Sequence, residues 1–251
     1  MNRRSCRAKA RNRLLESRSN VMRVIYVHGA FADADSWFGV PDAVETIQGD
    51  LFPKRVQLKH HRGNRPVPLD IGSLDDYVKS IEGKLPDDET EKCVLVGHSL
   101  GGMAISAAAT APAFKDRIHK LIYVTAVLPM PGQTAGELLP VLSGGPADVL
   151  LEFAKLGTLG AIKAATALAS QPMGVFNDLM PESDHFLNAP KAYIRCLDDG
   201  IIPHSDQREM ISKINDATNS IVYDEALDTV HFPQVSMPGR LAEMIVEAIE
   251  A

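Results

Sequence analysis

The sequence predicts an α/β protein: an open, mostly parallel sheet of six strands with helices on both faces and a small helical cap insertion. Three observations carry this expectation. Short apolar runs that suit buried strands alternate with segments of helical periodicity along most of the chain. The alternation breaks once, between residues 128 and 188, and then resumes. A chain of 251 residues with 45% hydrophobic content is long enough to bury a full core in one domain.

The elements follow in order. Val24, Ile25, Tyr26 and Val27 form a β-prone apolar strand, Arg23 to His28, that runs into His28-Gly29-Ala30-Phe31. Asp35 or Ser36 caps a helix in which Val40, Val44 and Ile47 recur at helical spacing behind Pro41, and Gly49 and Asp50 end it. Lys54 to Leu58 reads as a second strand, followed by a polar loop from His60 to Pro66 in which His60 and His61 are expected to be solvated. Ser73, with Asp76 three residues on, opens a helix that turns Leu74, Tyr77, Val78, Ile81 and Leu85 inward.

Val94 to Val96 is the central strand, and a helix of small residues from Met103 to Ala111 follows it and can approach the sheet closely. Ile118 to Thr125 is a fourth strand. Residues 128–188 are Pro-, Gly- and Ala-rich helical pieces, read as a cap inserted between a first core segment, 22–127, and a second, 189–251. That second segment carries strand Lys191 to Cys196, a helix from about Ser205 to Ile214, strand Ser220 to Tyr223, a loop with His231, and a last helix from Pro238.

The stretch Gly97-His98-Ser99-Leu100-Gly101 joins the central strand to the small-residue helix. A G-x-S-x-G pattern arises by chance about 0.1 times in a chain of this length, so its weight comes from its placement between strand and helix. In that setting the turn lifts the Ser99 hydroxyl above the sheet edge at a strained backbone position. A side chain at Gly97 or Gly101 would strike the neighbouring strand or helix.

Ligands of an open parallel sheet bind beyond the carboxyl ends of its strands. Three such loops carry Ser99, Asp199 (with Asp198 as the adjacent alternative) and His231, in the chain order Ser, Asp, His. A serine hydroxyl becomes a good nucleophile when a neutral imidazole takes its proton, and the imidazole needs an acceptor on its other nitrogen. The oxyanion of an acyl transfer needs two backbone N–H groups, for which the pattern offers Leu100, after the nucleophile, and Ala30, in the loop after the first strand. Of the other histidines, His28 is expected to organise that loop and His98 to pack beside the strand. His119, His185 and His204 have no partner pattern.

Composition excludes several other classes. Seven Arg or Lys and one Glu fall in residues 1–20, leaving 19 basic and 31 acidic residues, a net charge of −12, for the rest. An acidic body argues against nucleic acid as its partner. No run of 18 apolar residues is present for a membrane span, and the basic segment 1–21 lacks the apolar stretch of a secretory signal. That segment reads as a disordered extension or an upstream start before Met22, with an organellar transit peptide as the alternative, and the body reads as cytoplasmic. Cys6, Cys93 and Cys196 lack zinc-type spacing and are expected to remain unpaired.

His28-Gly29-Ala30-Phe31 through Trp37, the turn Gly97 to Gly102, Tyr193 through Asp199, Ile201, Pro203 and Gln207, and His231 followed by Ser236-Met237-Pro238 resemble the α/β hydrolase superfamily. The likeness runs from about Met22 to the C-terminus and is nearest the branch of plant methyl esterases, hydroxynitrile lyases and small bacterial esterases. It implies Ser99 as nucleophile, His231 as base, Asp199 as the triad acid, and Ala30 and Leu100 as oxyanion donors. Lyases of this kind place a threonine in the first loop and a lysine after the histidine, where this chain has Gly29 and Phe232. The resemblance therefore implies hydrolysis of a small carboxylic ester without metal or organic cofactor. A ligand-binding protein on the same scaffold, or a lyase or perhydrolase using the same site, is the alternative. Leu138, Leu139, Val149, Leu150, Phe153, Leu156 and Phe176 are expected to give two or three apolar pocket contacts. Oligomeric state is not legible.

Overall fold

The structure, a computed structural model, describes residues 21–61, 68, 71–144 and 146–251. Its strands are β1 (Met22–Val27), β2 (Leu51–Val56), β3 (Cys93–Ser99), β4 (Ile118–Ala126), β5 (Lys191–Cys196) and β6 (Ile221–Leu227). They form one sheet in the order β2-β1-β3-β4-β5-β6, and every neighbouring pair is parallel, where the sequence predicted only a mostly parallel sheet. The helices in chain order are α1 (Val40–Ile47), α2 (Leu74–Glu82), α3 (Gly101–Thr110), α4 (Ala135–Leu138), α5 (Ala147–Lys155), α6 (Gly157–Ala167), α7 (Asp184–Asn188), α8 (His204–Thr218), α9 (Pro233–Ser236) and α10 (Pro238–Glu250).

Alternation along the strands sorts the core into two layers, because successive side chains of a strand point to opposite faces. Ile25, Val27, Leu95, Leu121, Tyr123 and Tyr193 face the layer built by α2, α3 and α8, through Leu74, Tyr77 and Ile81, Met103 and Ala107, and Met210 and Ile214. Val24, Tyr26, Val94, Val96, Ile122 and Ile194 face α1 and α10, through Val40, Val44, Leu241 and Ile245. Burial on both faces explains why β1, β3, β4 and β5 read as continuous apolar runs.

The edge strands are where the sequence-based boundaries shift. β2 begins at Leu51, three residues before the expected Lys54, and contains Pro53. A proline has no N–H to donate, so it fits a strand only at an edge, and β2 is one. β6 at the other edge extends past Tyr223 to Leu227 through the exposed Asp224 and Glu225, whose polarity hides the strand from an apolar-run criterion. α8 likewise continues four residues beyond Ile214, to an Asn219 cap in left-handed conformation.

Between β4 and β5, α4 to α7 are joined by short 3-10 turns and irregular segments. An antiparallel bridge between Ala32 and Leu168 and a hydrogen bond from the Ala169 N–H to the Phe31 carbonyl, 2.9 Å, tie this segment to the loop after β1. Cys93 and Cys196 are buried free thiols; the basic N-terminal residues 1–20, with Cys6, lie outside the described residues. His61 departs from expectation. It is buried, with Nδ1 2.9 Å from the Ala32 carbonyl and Nε2 2.6 Å from the Tyr77 hydroxyl, because α2 lies directly against the loop. His60 is half-buried, with Nε2 3.4 Å from the Asp76 carboxylate. Among the described residues no helix is long and apolar enough to cross a membrane.

Candidate active site

The strand order reverses direction between β1 and β3, which leaves a crevice at their carboxyl ends. Ser99 closes β3 there with φ 55°, in the left-handed region that a non-glycine residue occupies at a cost of about 1–3 kcal/mol. Close backbone packing holds it in place. A Cβ on Gly97 would come 2.7 Å from the Gly101 carbonyl oxygen, and one on Gly101 would come 2.5 Å from that of Val27. These are the contacts with helix and strand that the sequence pattern predicts. Across the crevice, a Cβ on Gly29 would meet the Ser99 Cβ at 2.7 Å, so the loop after β1 lies directly on the turn.

His231 follows β6 and Asp199 follows β5. The His231 Nδ1–H donates to Asp199 Oδ2 over 2.7 Å, and both side chains are almost wholly buried. The other carboxylate oxygen accepts the N–H groups of Ile201 and Ile202, each at 2.8 Å, and the Thr125 hydroxyl donates to Oδ2. Burial raises the Asp199 pKa, but the His231 charge and these hydrogen bonds outweigh it and hold the carboxyl below its usual range. Asp198 is exposed and is held by its backbone, its N–H donating to the Thr229 carbonyl over 3.0 Å. Asp199, not Asp198, therefore meets the histidine.

With Nδ1 donating to a carboxylate, a neutral His231 carries its lone pair on Nε2, the tautomer that accepts a proton. Ser99 and His231 line one narrow cavity together with Ala30, Phe153 and Phe232. Among the described residues no hydrogen bond links Ser99 to His231. In ligand-free sites such bonds are often long and tighten when substrate binds.

The main chain of His231 is fixed from two sides. Its carbonyl accepts from His98 Nε2 at 2.8 Å, and its N–H donates to Glu152 Oε2 at 3.2 Å. Burial pushes the His98 imidazole down to about 3, and the neighbouring His231 adds to the effect, so His98 is neutral and acts as a brace. His28 is also neutral, pushed down to about 4 by burial; its Nε2 accepts the Leu58 N–H at 3.3 Å and its Nδ1–H donates to the Gly29 carbonyl at 2.9 Å. His28 thus organises the loop after β1, as expected from the sequence, whereas His98, expected only to pack beside the strand, also holds the His231 carbonyl.

In the loop after β1, the Phe31 N–H donates to the buried Gln171 Oε1 at 3.1 Å, with Phe31 at φ 53°. That donor is committed. No hydrogen bond among the described residues engages the N–H of Ala30 or of Leu100, which opens the first turn of α3.

Of the seven apolar residues considered for the pocket, Val149 and Phe153 of α5 line the cavity. Leu139 and Phe176 are core, and Leu150 is 45% exposed. Thr125, Glu152 and Gln171 were not foreseen. Thr125 sits at φ 37° at the carboxyl end of β4, so the strand-end rule that located Asp199 also reaches it, whereas nothing local marks Glu152 or Gln171. Among the described residues no group of three or more His, Cys, Asp or Glu side chains could hold a metal ion. A larger open hollow beside α2 is bordered by Lys59 and Lys79, each paired at 2.5 Å with Asp76 or Asp75, and is a solvated surface.

Comparison with known proteins places this arrangement. The chain is 28% identical to a pyrethroid hydrolase of Sphingobium wenxiniae over 92% of this chain and 89% of that protein. It is 25% identical to methylesterase 2 of Arabidopsis thaliana over 88% of this chain and 94% of that protein. A crystal structure of a pyrethroid hydrolase from Sphingobium faniae superposes with a TM-score of 0.71 at 27% identity, covering 92% of this chain and 98% of that one. The model of the alpha/beta hydrolase family matches residues 24–244, from β1 into α10, and the chain belongs to that family.

Proposed function

We propose that the protein is a serine hydrolase that cleaves a small carboxylic ester through an acyl-enzyme. The observation that carries this reading is the 2.7 Å bond from Asp199 to the His231 that lines one cavity with Ser99, a nucleophile candidate held at positive φ. The esterases among the relatives support it, since a pyrethroid hydrolase and a methylesterase both match across most of their length.

In this reading the ester carbonyl oxygen lies on the N–H groups of Ala30 and Leu100, two donors that no hydrogen bond engages among the described residues. Ser99 Oγ attacks the carbonyl carbon while His231 Nε2 takes the hydroxyl proton, and Asp199 stabilises the imidazolium that forms. The tetrahedral intermediate collapses as His231 returns the proton to the departing alcohol. Water, deprotonated by the same imidazole, then releases the carboxylic acid and restores Ser99. No step calls on a cofactor.

Turnover of p-nitrophenyl acetate by wild type, and its fall by at least about 10⁴-fold in Ser99→Ala, is the expected result. A wild type inactive on all short-chain esters, yet stabilised by a small ligand, would instead make the protein a binding module on the same scaffold.

A further inference from the structure

We infer that Gln234 selects the substrate, and that the preferred ester carries a hydroxyl on the part that packs against α9. This rests on the hydrolase reading and narrows its substrate class. Gln234 is only 3% exposed, and it lines the cavity that holds Ser99 and His231. Its Oε1 is buried with no hydrogen-bond partner, and no hydrogen bond of its amide occurs among the described residues.

Two other buried glutamines set the contrast. Gln171 accepts from the Phe31 N–H and donates to Tyr77 and the Pro172 carbonyl. Gln207 accepts from the Cys196 N–H and donates to the carbonyls of Cys196 and Ile202. Both of these amides serve the scaffold and are saturated. Gln48 Oε1, at the end of α1, is likewise buried without a partner, but it lies away from the cavity, so it is the placement of Gln234 on the cavity wall that points to a ligand. A buried amide without partners loses its hydration for nothing, unless a ligand restores the bonds.

The surrounding wall shows which ligand group fits. Phe31, Val149, Phe153 and Phe232 are apolar, the Ser36 hydroxyl is spent on the Asp33 carbonyl at 2.7 Å, and His98 and His231 are bonded as described. Besides the groups assigned to the reaction, Ser99, His231 Nε2 and the Ala30 N–H, the amide is thus a polar group on this wall without a partner among the described residues. It offers an acceptor and two donors, and a hydroxyl, being both donor and acceptor, complements it in either orientation of the amide. A carbonyl or ether oxygen would leave the buried Oε1 unpaired. The small cavity and its aromatic walls keep the rest of the acyl or alcohol part compact and apolar.

The test measures kcat/KM for methyl butanoate and for its 2-, 3- and 4-hydroxy counterparts, with wild type, Gln234→Leu and Gln234→Met. Wild type is expected to favour at least one hydroxy ester over the parent by about tenfold or more, and the ratio to fall towards one in both variants. Failure of wild type to favour any hydroxy ester overturns the inference and needs no folded variant. A ratio that survives in Gln234→Leu also overturns it, as does an equal loss on all four esters, which marks a scaffold role. If no ester is turned over and a fluorophosphonate leaves Ser99 unlabelled, the hydrolase reading has failed on its own. Calorimetric binding of the hydroxy and parent acids to wild type and Gln234→Leu then decides the role of Gln234 by the same ratio.

Discussion

The turn from β3 into α3 and the segment from 128 to 188 both contribute to one cavity, yet they are built in opposite ways. Every residue of β3 is buried, and the first three residues of α3 are buried with it. The segment between β4 and β5 instead exposes Leu151 by 63% and Ile162 by 59%, and reaches the cavity through Val149 and Phe153. The Ser99 turn is positioned by backbone contacts that few residue types permit, whereas the cavity wall is made of side-chain contacts that many sequences can supply. In the proposed enzyme this would fix the chemistry and leave selectivity replaceable.

The largest effect that could break this contrast concerns the rim itself. Asp199→Asn keeps the shape but favours the wrong tautomer of His231, so kcat on a short ester should fall by about 10⁴-fold while the fold persists. A loss below about tenfold would mean that the carboxylate does not govern the imidazole. Next, a Cβ on Gly102 would sit 2.1 Å from the Val127 carbonyl oxygen, a backbone atom with no room to yield. Gly102→Ala should destabilise the protein by about 3 kcal/mol or more in urea unfolding, and an unchanged midpoint would show that α3 can shift away from the sheet.

The strand-to-helix turn is also what made the protein legible. Gly97 and Gly101 announce themselves because a Cβ at either would strike backbone, and Asp199 and His231 are legible because parallel strands deliver their ends to one rim. Edge effects account for the misplaced boundaries: Pro53 and the Asp224-Glu225 pair look unlike strand until their place at the sheet margins is known. His61, Gln171 and Glu152 could not be read at all. Each is buried by a partner 16 or more residues away, Tyr77, Phe31 and His231 respectively, and sequence spacing carries no trace of such meetings.

A smaller effect sharpens the comparison through pH. His28 is held neutral in the buried start of the loop after β1, with a folded-state value of about 4 against an ordinary 6.5. The unfolded chain then binds more protons between these values, so the stability is fully present above pH 6.5 and drains as pH falls towards 4, by about 3 kcal/mol at most. Urea midpoints in wild type and His28→Gln should diverge in slope across that window, and parallel curves would show that His28 is not responsible. Smallest of all, Leu151→Lys on the exposed face of α5 should change stability by less than about 0.5 kcal/mol. A large loss there would mean that the segment is as tightly specified as the turn.

The central claim, that Ser99 is the nucleophile served by His231 and Asp199, is most directly tested by labelling the folded protein with a fluorophosphonate and mapping the adduct by mass spectrometry. A single adduct on the peptide containing Ser99, absent in Asp199→Asn or strongly slowed there, is the predicted result. An adduct on any other residue, or none in a preparation that hydrolyses esters, would contradict it.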